Sequence, residues 1–399
     1  MKTPTRTICP VLLLPKELGD TDGRLLFWGA DICKIGGIAG NFPGGNPGGG
    51  RSCEWGVDAG ATKFGDIVDC VDINKQPAFE HPLLAHHKLQ LKPNFEIEKT
   101  IENSSQIEFM FGLEEENCPE GTVPILRTTK YNLTQENLIS NDHMLVQDIP
   151  GVHLAEVSLK RRSGPYYKVS GIMNIYNPKV NQKSQISMSH IWVEKGSVDT
   201  TNKISAGWHV HPELNSDYAT HFYSTWTSDN FRKTGCYNVR CPGFVQTDRN
   251  IYLGSRFPHV SVYGVSSYEI YISITQDAET KNWWLTLGDK NIGYFPAALF
   301  VNLGSAAIVG WGGRTKANIG SPSPPMGSGH FPDGHSLNSC YFRSVFIQDS
   351  SRDIYGPKPD QTVSFTDNSK CYGVTYYGDQ REFGGSVLQF GGPGGDCGK

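Results

Sequence analysis

From about residue 150 to its end the chain reads as one short strand after another, and that spacing leaves few folds open. "GPYYKVSGIMNIYNP", "SQISMSHIWVEKG", "KISAGWHVHP", "ATHFYSTWTSD", "YEIYISITQD", "NWWLTLGD" and "NIGYFP" alternate polar residues with aromatic or β-branched ones. Turn residues separate these runs at short, fairly even intervals, with no amphipathic helical run between them, which predicts an antiparallel sandwich or barrel. The 45 Gly, 24 Pro and 11% aromatic residues suit many turns joining short strands. One short helix is expected after Pro296, in "PAALFVNL". A Pro/Gly-rich loop spans residues 320–336, and no internal repeat stands out.

Three regions follow from composition. Residues 1–59 carry the Gly-rich "GGIAGNFPGGNPGGG", which buries too little apolar surface to order itself and reads as a flexible arm. Residues 60–148 change character: a short apolar strand, a Pro-punctuated connection, "CPEGTVPILRTTK" and a short helix in "NLTQENLIS" predict a small α+β unit. Residues 149–399 hold the strand-rich domain. A chain of 399 residues is long enough for two cores.

A formal net charge of −4 is close to neutral for this size, so no broad basic field invites nucleic acid or an anionic membrane. The main basic cluster, Lys160-Arg161-Arg162, reads as an exposed loop before it reads as a recognition or processing site. No run approaches the roughly 18 apolar residues of a spanning helix. The apolar stretch at residues 10–14 is shorter than the roughly 7–15 residues of a secretory signal core, so there is no clear signal peptide. Ten Cys nevertheless argue for export. Cys236 and Cys241 are close enough to staple a hairpin end, and no Cys/His array has zinc-finger spacing. Sequons at Asn103 and Asn132 are candidate glycosylation sites that add weak support for secretion.

The stretch "ISAGWHVHPEL" concentrates the candidate chemistry. In an extended strand Ser205, Gly207, His209 and His211 point one way, while Ala206, Trp208 and Val210 point the other. His209 and His211 then sit ~7 Å apart at their Cα atoms, a spacing that holds one metal if another strand supplies a third ligand. His221, Glu213 and Asp217 are near in sequence, but no spacing fixes their geometry; groove-lining His is the plainer reading. Ser205 and His209 are ~13 Å apart along the strand, so a Ser–His pair needs a base from elsewhere, with His221 and His330 as candidates. No G-x-S-x-G elbow, G-x-G-x-x-G or Walker pattern is present. The Trp and Tyr density reads as sandwich core before it reads as a carbohydrate or peptide groove.

"GPYYKVSGIMNIYNPKV", "AGWHVHPEL", "YSTWTSDNFRKTGCYNVRCPGFVQT", "KNWWLTLGDKNIGYFPAALF", "GWGGR", "MGSGHFPDG" and "SCYFR" together resemble plant neprosin-family proteins. The family's activation domain is similar to "GDIVDCVDINKQPAFEHPLLAHHKLQ" and "CPEGTVPILRTT", so the resemblance runs over roughly residues 60–397. It implies a secreted, mainly β protein in which a small α+β N-terminal pro-domain packs over the groove of a C-terminal antiparallel β-sandwich. Active members are glutamic endopeptidases that work in acid near proline, with two Glu in different protonation states and no metal or organic cofactor. The resemblance also implies disulfides Cys70–Cys118, Cys236–Cys241 and Cys340–Cys371, leaving Cys9, Cys33, Cys53 and Cys397 unassigned.

Both catalytic positions depart from the family pattern. Where the family has "IEAGW" this chain has "ISAGW", with Ser205 at the Glu position; where it has "EWGG" this chain has "GWGG", with Gly310. Neither residue ionises, and Glu194 and Glu213 do not occupy the same points. Trp208, Tyr223, Trp226 and Trp311 remain as the expected groove lining, able to stack on a Pro-containing peptide. The expectation is therefore a non-proteolytic cleft for a peptide or protein ligand. An acid endopeptidase using other carboxylates is one alternative; a small-molecule enzyme with His209 or His211 as general base near pH ~6.5 is another.

Overall fold

The computed structural model describes residues 59–97, 113, 118–127, 149–335 and 337–398. The Gly-rich arm, the expected helix at 132–140, Asn103, Asn132, Cys9, Cys33 and Cys53 lie outside the described residues.

Strands β1 (Ala59–Ala61), β2 (Ile67–Asp72) and β3 (Thr122–Leu126) form a small antiparallel sheet with β2 in the middle. The Cys70–Cys118 disulfide ties β2 to the segment entering β3, and Val71, Val123 and Ile125 make a satellite core with Ile73 and Val239. Two 3-10 turns, Pro77–Glu80 and Pro82–Leu84, follow β2.

The strand-rich region begins with β4 (Val152–Leu159), β5 (Lys168–Asn174), β6 (Ile186–Lys195), β7 (Asn202–Val210) and β8 (Thr220–Thr227). Next come β9 (Cys236–Tyr237), β10 (Val245–Gln246), β11 (Glu269–Gln276), β12 (Trp283–Leu287) and β13 (Lys290–Phe295). The last six are β14 (Ile308–Lys316), β15 (Cys340–Gln348), β16 (Ile354–Tyr355), β17 (Thr362–Thr366), β18 (Gly373–Gln380) and β19 (Gly385–Gly391). They form two antiparallel sheets. One runs β17-β4-β14-β6-β7-β8-β9; the other runs β10-β13-β12-β11-β5-β15-β19-β18, with β16 beside β15. The chain crosses between the sheets repeatedly, so neither layer exists without the other.

Alternation places Ala155, Val157, Ile191, Val193, Ile204, Ala206, Trp208, Val309 and Trp311 of the first sheet in the core, against Val169, Met173, Ile274, Leu285, Phe342 and Phe390 of the second. Trp208 and Trp311 also cross-link the layers: their indole N–H groups donate to the carbonyls of Asn174 (2.9 Å) and Ser170 (3.0 Å), both on β5. Burying rings this large requires a partner for each N–H, and the facing strand supplies one.

The helix expected after Pro296 reduces to one 3-10 turn, Ala297–Leu299. Tertiary partners take the backbone groups a helix would use: Ala297 N donates to Asn282 Oδ1, Asn302 N to Asn202 Oδ1, and the Leu303 carbonyl accepts from Trp283 Nε1. The described part of the activation segment lies along β10–β13. Leu84 enters the sandwich core, Gln76 and Gln246 exchange side chain–backbone hydrogen bonds, and Asp277 accepts from Gln90 and from the Asn94 amide. No helix among the described residues is long and apolar enough to cross a membrane.

Cys236 and Cys241 are bridged, but the pairing of Cys340 with Cys371 is corrected: Cys371 bonds Cys397, and Cys340 is a buried thiol. Cys340 is fixed in β15 opposite Phe390 and under Gly327, whereas Cys371 sits in the turn before β18, where the C-terminal segment runs back past it. Non-reducing peptide mapping should recover a Cys371–Cys397 link. Replacing both by Ser should cost about 3 kcal/mol, the scale for closing a loop of this length. A recovered Cys340–Cys371 link would refute the arrangement.

Candidate functional site

The first sheet has a second, outer face, and its register sets residues from five strands into rows. One row reads Ser158, Gly310, Trp192, Ser205, Thr225 across β4, β14, β6, β7 and β8. The next reads Glu156, Gly312, His190, Gly207, Tyr223, and the one beyond it Leu154, Arg314, Met188, His209, His221. On the other side of the first row lie Glu194 and Lys203. Directly opposed residues of antiparallel strands share a face. The two positions expected to carry Glu, Ser205 and Gly310, therefore flank Trp192 in one line. This face is also buried: Ser205, His190, Thr225 and Tyr223 are 0% exposed.

A continuous polar chain crosses the rows. Arg314 grips both carboxylate oxygens of Glu156, the Nη2–Oε2 contact being 3.0 Å. Glu156 Oε1 lies 2.9 Å from His190 Nε2, and His190 Nδ1 lies 2.9 Å from Ser205 Oγ. Gly312 stands between Glu156 and His190, and with no side chain there the two reach each other over the strand. Burial alone would push the Glu156 carboxyl up, but the Arg314 charge and hydrogen bonds from His190 and Arg314 outweigh it and hold the group well below the usual carboxylate range. Glu156 is thus an obligate acceptor. His190 must carry its proton on Nε2, and Nδ1 must accept from the Ser205 hydroxyl. Burial, only partly offset by Glu156, pushes His190 down to about 4, so the ring is neutral in ordinary conditions.

Gly310 is not an open gap. A Cβ built there would lie 2.5 Å from two atoms of the Trp192 indole and 2.6 Å from the Val157 carbonyl oxygen. The indole occupies the space a side chain at 310 needs, with Lys203 Nζ 5.0 Å from its ring and paired to Glu194 at 2.9 Å.

Several expected residues fall elsewhere. Trp208 and Trp311 are corrected from groove lining to the inter-sheet core, where the alternation of their own strands puts them. Trp226 is likewise on the core side, at its margin, with His81 edge-on to its ring. Tyr223 does lie on the outer face, stacked on His209 at 4.6 Å. His211 leaves the strand to cap the one-turn helix Pro212–Asn215, its Nδ1 accepting from Leu214 N. Both His are buried. Burial, then neighbouring charges, drives His209 well below the ordinary imidazole value and His211 to about 3, so neither titrates near the ordinary value of ~6.5. Among the described residues no group of three or more His, Cys, Asp or Glu is placed to hold a metal. His221 spends both nitrogens on Asp217 (2.9 Å) and the Gly254 carbonyl (2.8 Å), and His330 stacks on Tyr263. Neither is the partner of Ser205. That partner, His190, sits in "SMSHIWV" on the adjacent strand. The signal was present as ionisable residues in the outward phase of otherwise apolar strands, His190 in β6 and Glu156 in β4.

The buried imidazoles make the fold acid-sensitive. A group whose pKa is lower in the folded state binds more protons when unfolded, so stability falls as pH drops from ~6.5 toward the folded value, by up to ~1.4 kcal/mol per pH unit per group. His190, His209 and His211 all act in this sense; Glu156, held low, adds to the loss below its ordinary pKa. Asp66 and Asp248, pushed up by burial, oppose it. Denaturant unfolding of the intact chain should show lower stability at pH 4.5 than at pH 7, and a flat profile would show that these rings are not buried neutral.

The chain matches the neprosin family over residues 183–393 and the neprosin activation peptide over residues 61–147. Among solved structures it is similar to scytalido-glutamic peptidase with a peptide-based transition-state analog, at 10% identity, covering 60% of this chain and 97% of that one, with a TM-score of 0.31. The same enzyme with a transition-state analog inhibitor gives the same identity and coverage and a TM-score of 0.32. SCP-B, a member of the Eqolisin family of peptidases in complex with the tripeptide Ala-Ile-His, gives 10% identity, 60% and 97% coverage and a TM-score of 0.31. Matched over more than half its length in its strand-rich region, and preceded by a matching activation peptide, the chain belongs to the neprosin family.

Proposed function

We propose that this chain is a secreted, plant-type member of the family whose cleft binds polypeptide, Pro-containing segments above all, without the glutamic-peptidase mechanism. One observation carries the reading: the row Ser158, Gly310, Trp192, Ser205, Thr225 contains no carboxyl group. A paired-carboxyl mechanism needs one group to take a proton from water and another to give one, held in different protonation states around one point. The carboxylates nearest the row do not substitute. Glu156 is locked by Arg314 and His190, and Glu194 is paired with Lys203. The filling of the Gly310 position by Trp192 further supports a loss that the surrounding packing has absorbed.

The outer face around Ser205 is buried in the intact chain, so binding there requires it to open. Three disulfides among the described residues suit an oxidising compartment.

The test is incubation with a fluorescent Pro-rich peptide at pH 3–5, before and after limited proteolysis confined to the activation segment. Saturable anisotropy without hydrolysis is expected. Hydrolysis abolished by Glu156→Gln or Glu194→Gln would overturn the reading. A second expectation concerns the packing: Gly310→Ala should destabilise by about 1–3 kcal/mol. Trp192→Ala should relieve only part of that, since the Val157 carbonyl contact remains. A coupling of at least ~0.5 kcal/mol between the two changes checks it; simple additivity would show that the indole does not fill the site.

A further inference from the structure

The hydrogen-bonded series Glu156–His190–Ser205 is more than a way of satisfying buried polar atoms. We infer that Ser205 is an activated nucleophile, with His190 as its general base, Glu156 as the residue that positions His190, and Thr225 as an oxyanion donor, and that it takes the acyl group of carboxylic esters. The inference goes beyond the binding reading and shares with it only the absence of the Glu pair.

The geometry meets the requirements for nucleophilic catalysis in order. The Ser205 Oγ–His190 Nδ1 and His190 Nε2–Glu156 Oε1 distances are both 2.9 Å, within the range for nucleophile to base and base to orienting acid. The roles of the ring nitrogens are fixed, because an ionised Glu156 can only accept. Arg314, bonded to both carboxylate oxygens including the Oε1 that His190 contacts, keeps it ionised. An independent observation supplies the remaining part: Thr225 is directly opposite Ser205 on the same face, fully buried, and its hydroxyl has no hydrogen-bond partner. An unsatisfied buried donor costs about 1–3 kcal/mol, and a developing oxyanion on a carbonyl held by Ser205 would satisfy it.

The reaction balances within these groups. Ser205 Oγ bonds to the ester carbonyl carbon as its proton passes to His190 Nδ1, and the carbonyl π electrons move to the oxygen facing Thr225. Collapse breaks the bond to the leaving alkoxide, which takes the proton from His190. Water then attacks the acyl-serine, giving a proton to His190 that returns to Ser205 as the carboxylic acid leaves. Only water is consumed besides the ester.

The groups facing His190 are Glu156 from β4, Arg314 from β14, Lys203 and Ser205 from β7 and Tyr223 from β8. Burial and the Arg314 and Lys203 charges, against the opposing pull of Glu156, keep the ring an acceptor down to acid pH, so reactivity should persist at pH 5 and fall only near pH 4.

The full chain, intact and after limited proteolysis confined to its activation segment, is treated with an alkyl fluorophosphonate and mapped by mass spectrometry; turnover of p-nitrophenyl acetate is followed in parallel. An adduct on Ser205 is expected, absent in Ser205→Ala. His190→Ala, which leaves Glu156 and Arg314 paired, should slow labelling by about 10²-fold or more, with partial rescue by added imidazole. Thr225→Val should slow ester turnover by about 10²-fold while the protein keeps its melting temperature. Glu156→Gln, if it folds, should shift the pH profile of labelling. No Ser205 adduct in either state, or an adduct formed at the same rate without His190, would overturn the inference and leave the series as structural hydrogen bonding. Peptide binding without labelling defeats only this inference; labelling without peptide binding defeats only the proposed binding role.

Discussion

Burial of both faces of the central strands β14, β6, β7 and β8 of the seven-stranded sheet is the constraint on which the rest of the structure depends. In an ordinary sandwich the outer face meets water, and its polar residues need no partners. Here Glu156, His190, Ser205, Lys203 and Arg314 are nearly or wholly removed from solvent. A charge in that position must be matched inside the protein, and breaking such a pair costs about 3–5 kcal/mol. Glu156 therefore takes Arg314 and His190 together, and His190 passes its second nitrogen to Ser205. The polar series that gives the site its chemical character is first a solution to the problem of closing that face.

The two positions expected to carry Glu read differently once the register is known. Separated by more than 100 residues in sequence, Ser205 and Gly310 are neighbours of the same residue, Trp192, on opposite sides of one strand. The indole lies over Gly310, and the imidazole two residues earlier reaches toward Ser205. Strand β6 thus covers Gly310 with bulk and gives Ser205 a hydrogen-bond acceptor. Two positions far apart in sequence thus belong to one site, where a hydroxyl lies beside a buried imidazole and neither position carries a carboxyl.

How much of this was legible depended on whether a feature is local. Two-residue alternation identified the strands and the antiparallel sandwich, and also assigned the faces of β7. Trp208 opposite Ser205 was implied by that rule, and taking Trp208 as groove lining set the rule aside in favour of a preference for aromatic grooves. The helix after Pro296 failed for another reason. "PAALFVNL" has adequate local propensity, but Asn282, Asn202 and Trp283, distant in sequence, claim its backbone groups. The pairing of Cys371 with Cys397 over Cys340 likewise depends on where the C-terminal segment returns.

The sequence by itself determined the layer architecture, the family and the absence of acid groups at two positions, because periodicity, motif order and residue identity need no coordinates. Only the tertiary structure decided what surrounds those positions. Cross-strand register is a long-range property: nothing in "SMSHIWV" announces that its His will meet Ser205 on one side and Glu156 on the other, or that its Trp will cover Gly310. Those contacts exist because four strands, β4, β14, β6 and β7, are hydrogen-bonded in one particular alignment, and a shift of one residue in any of them would turn the same side chains to the opposite face.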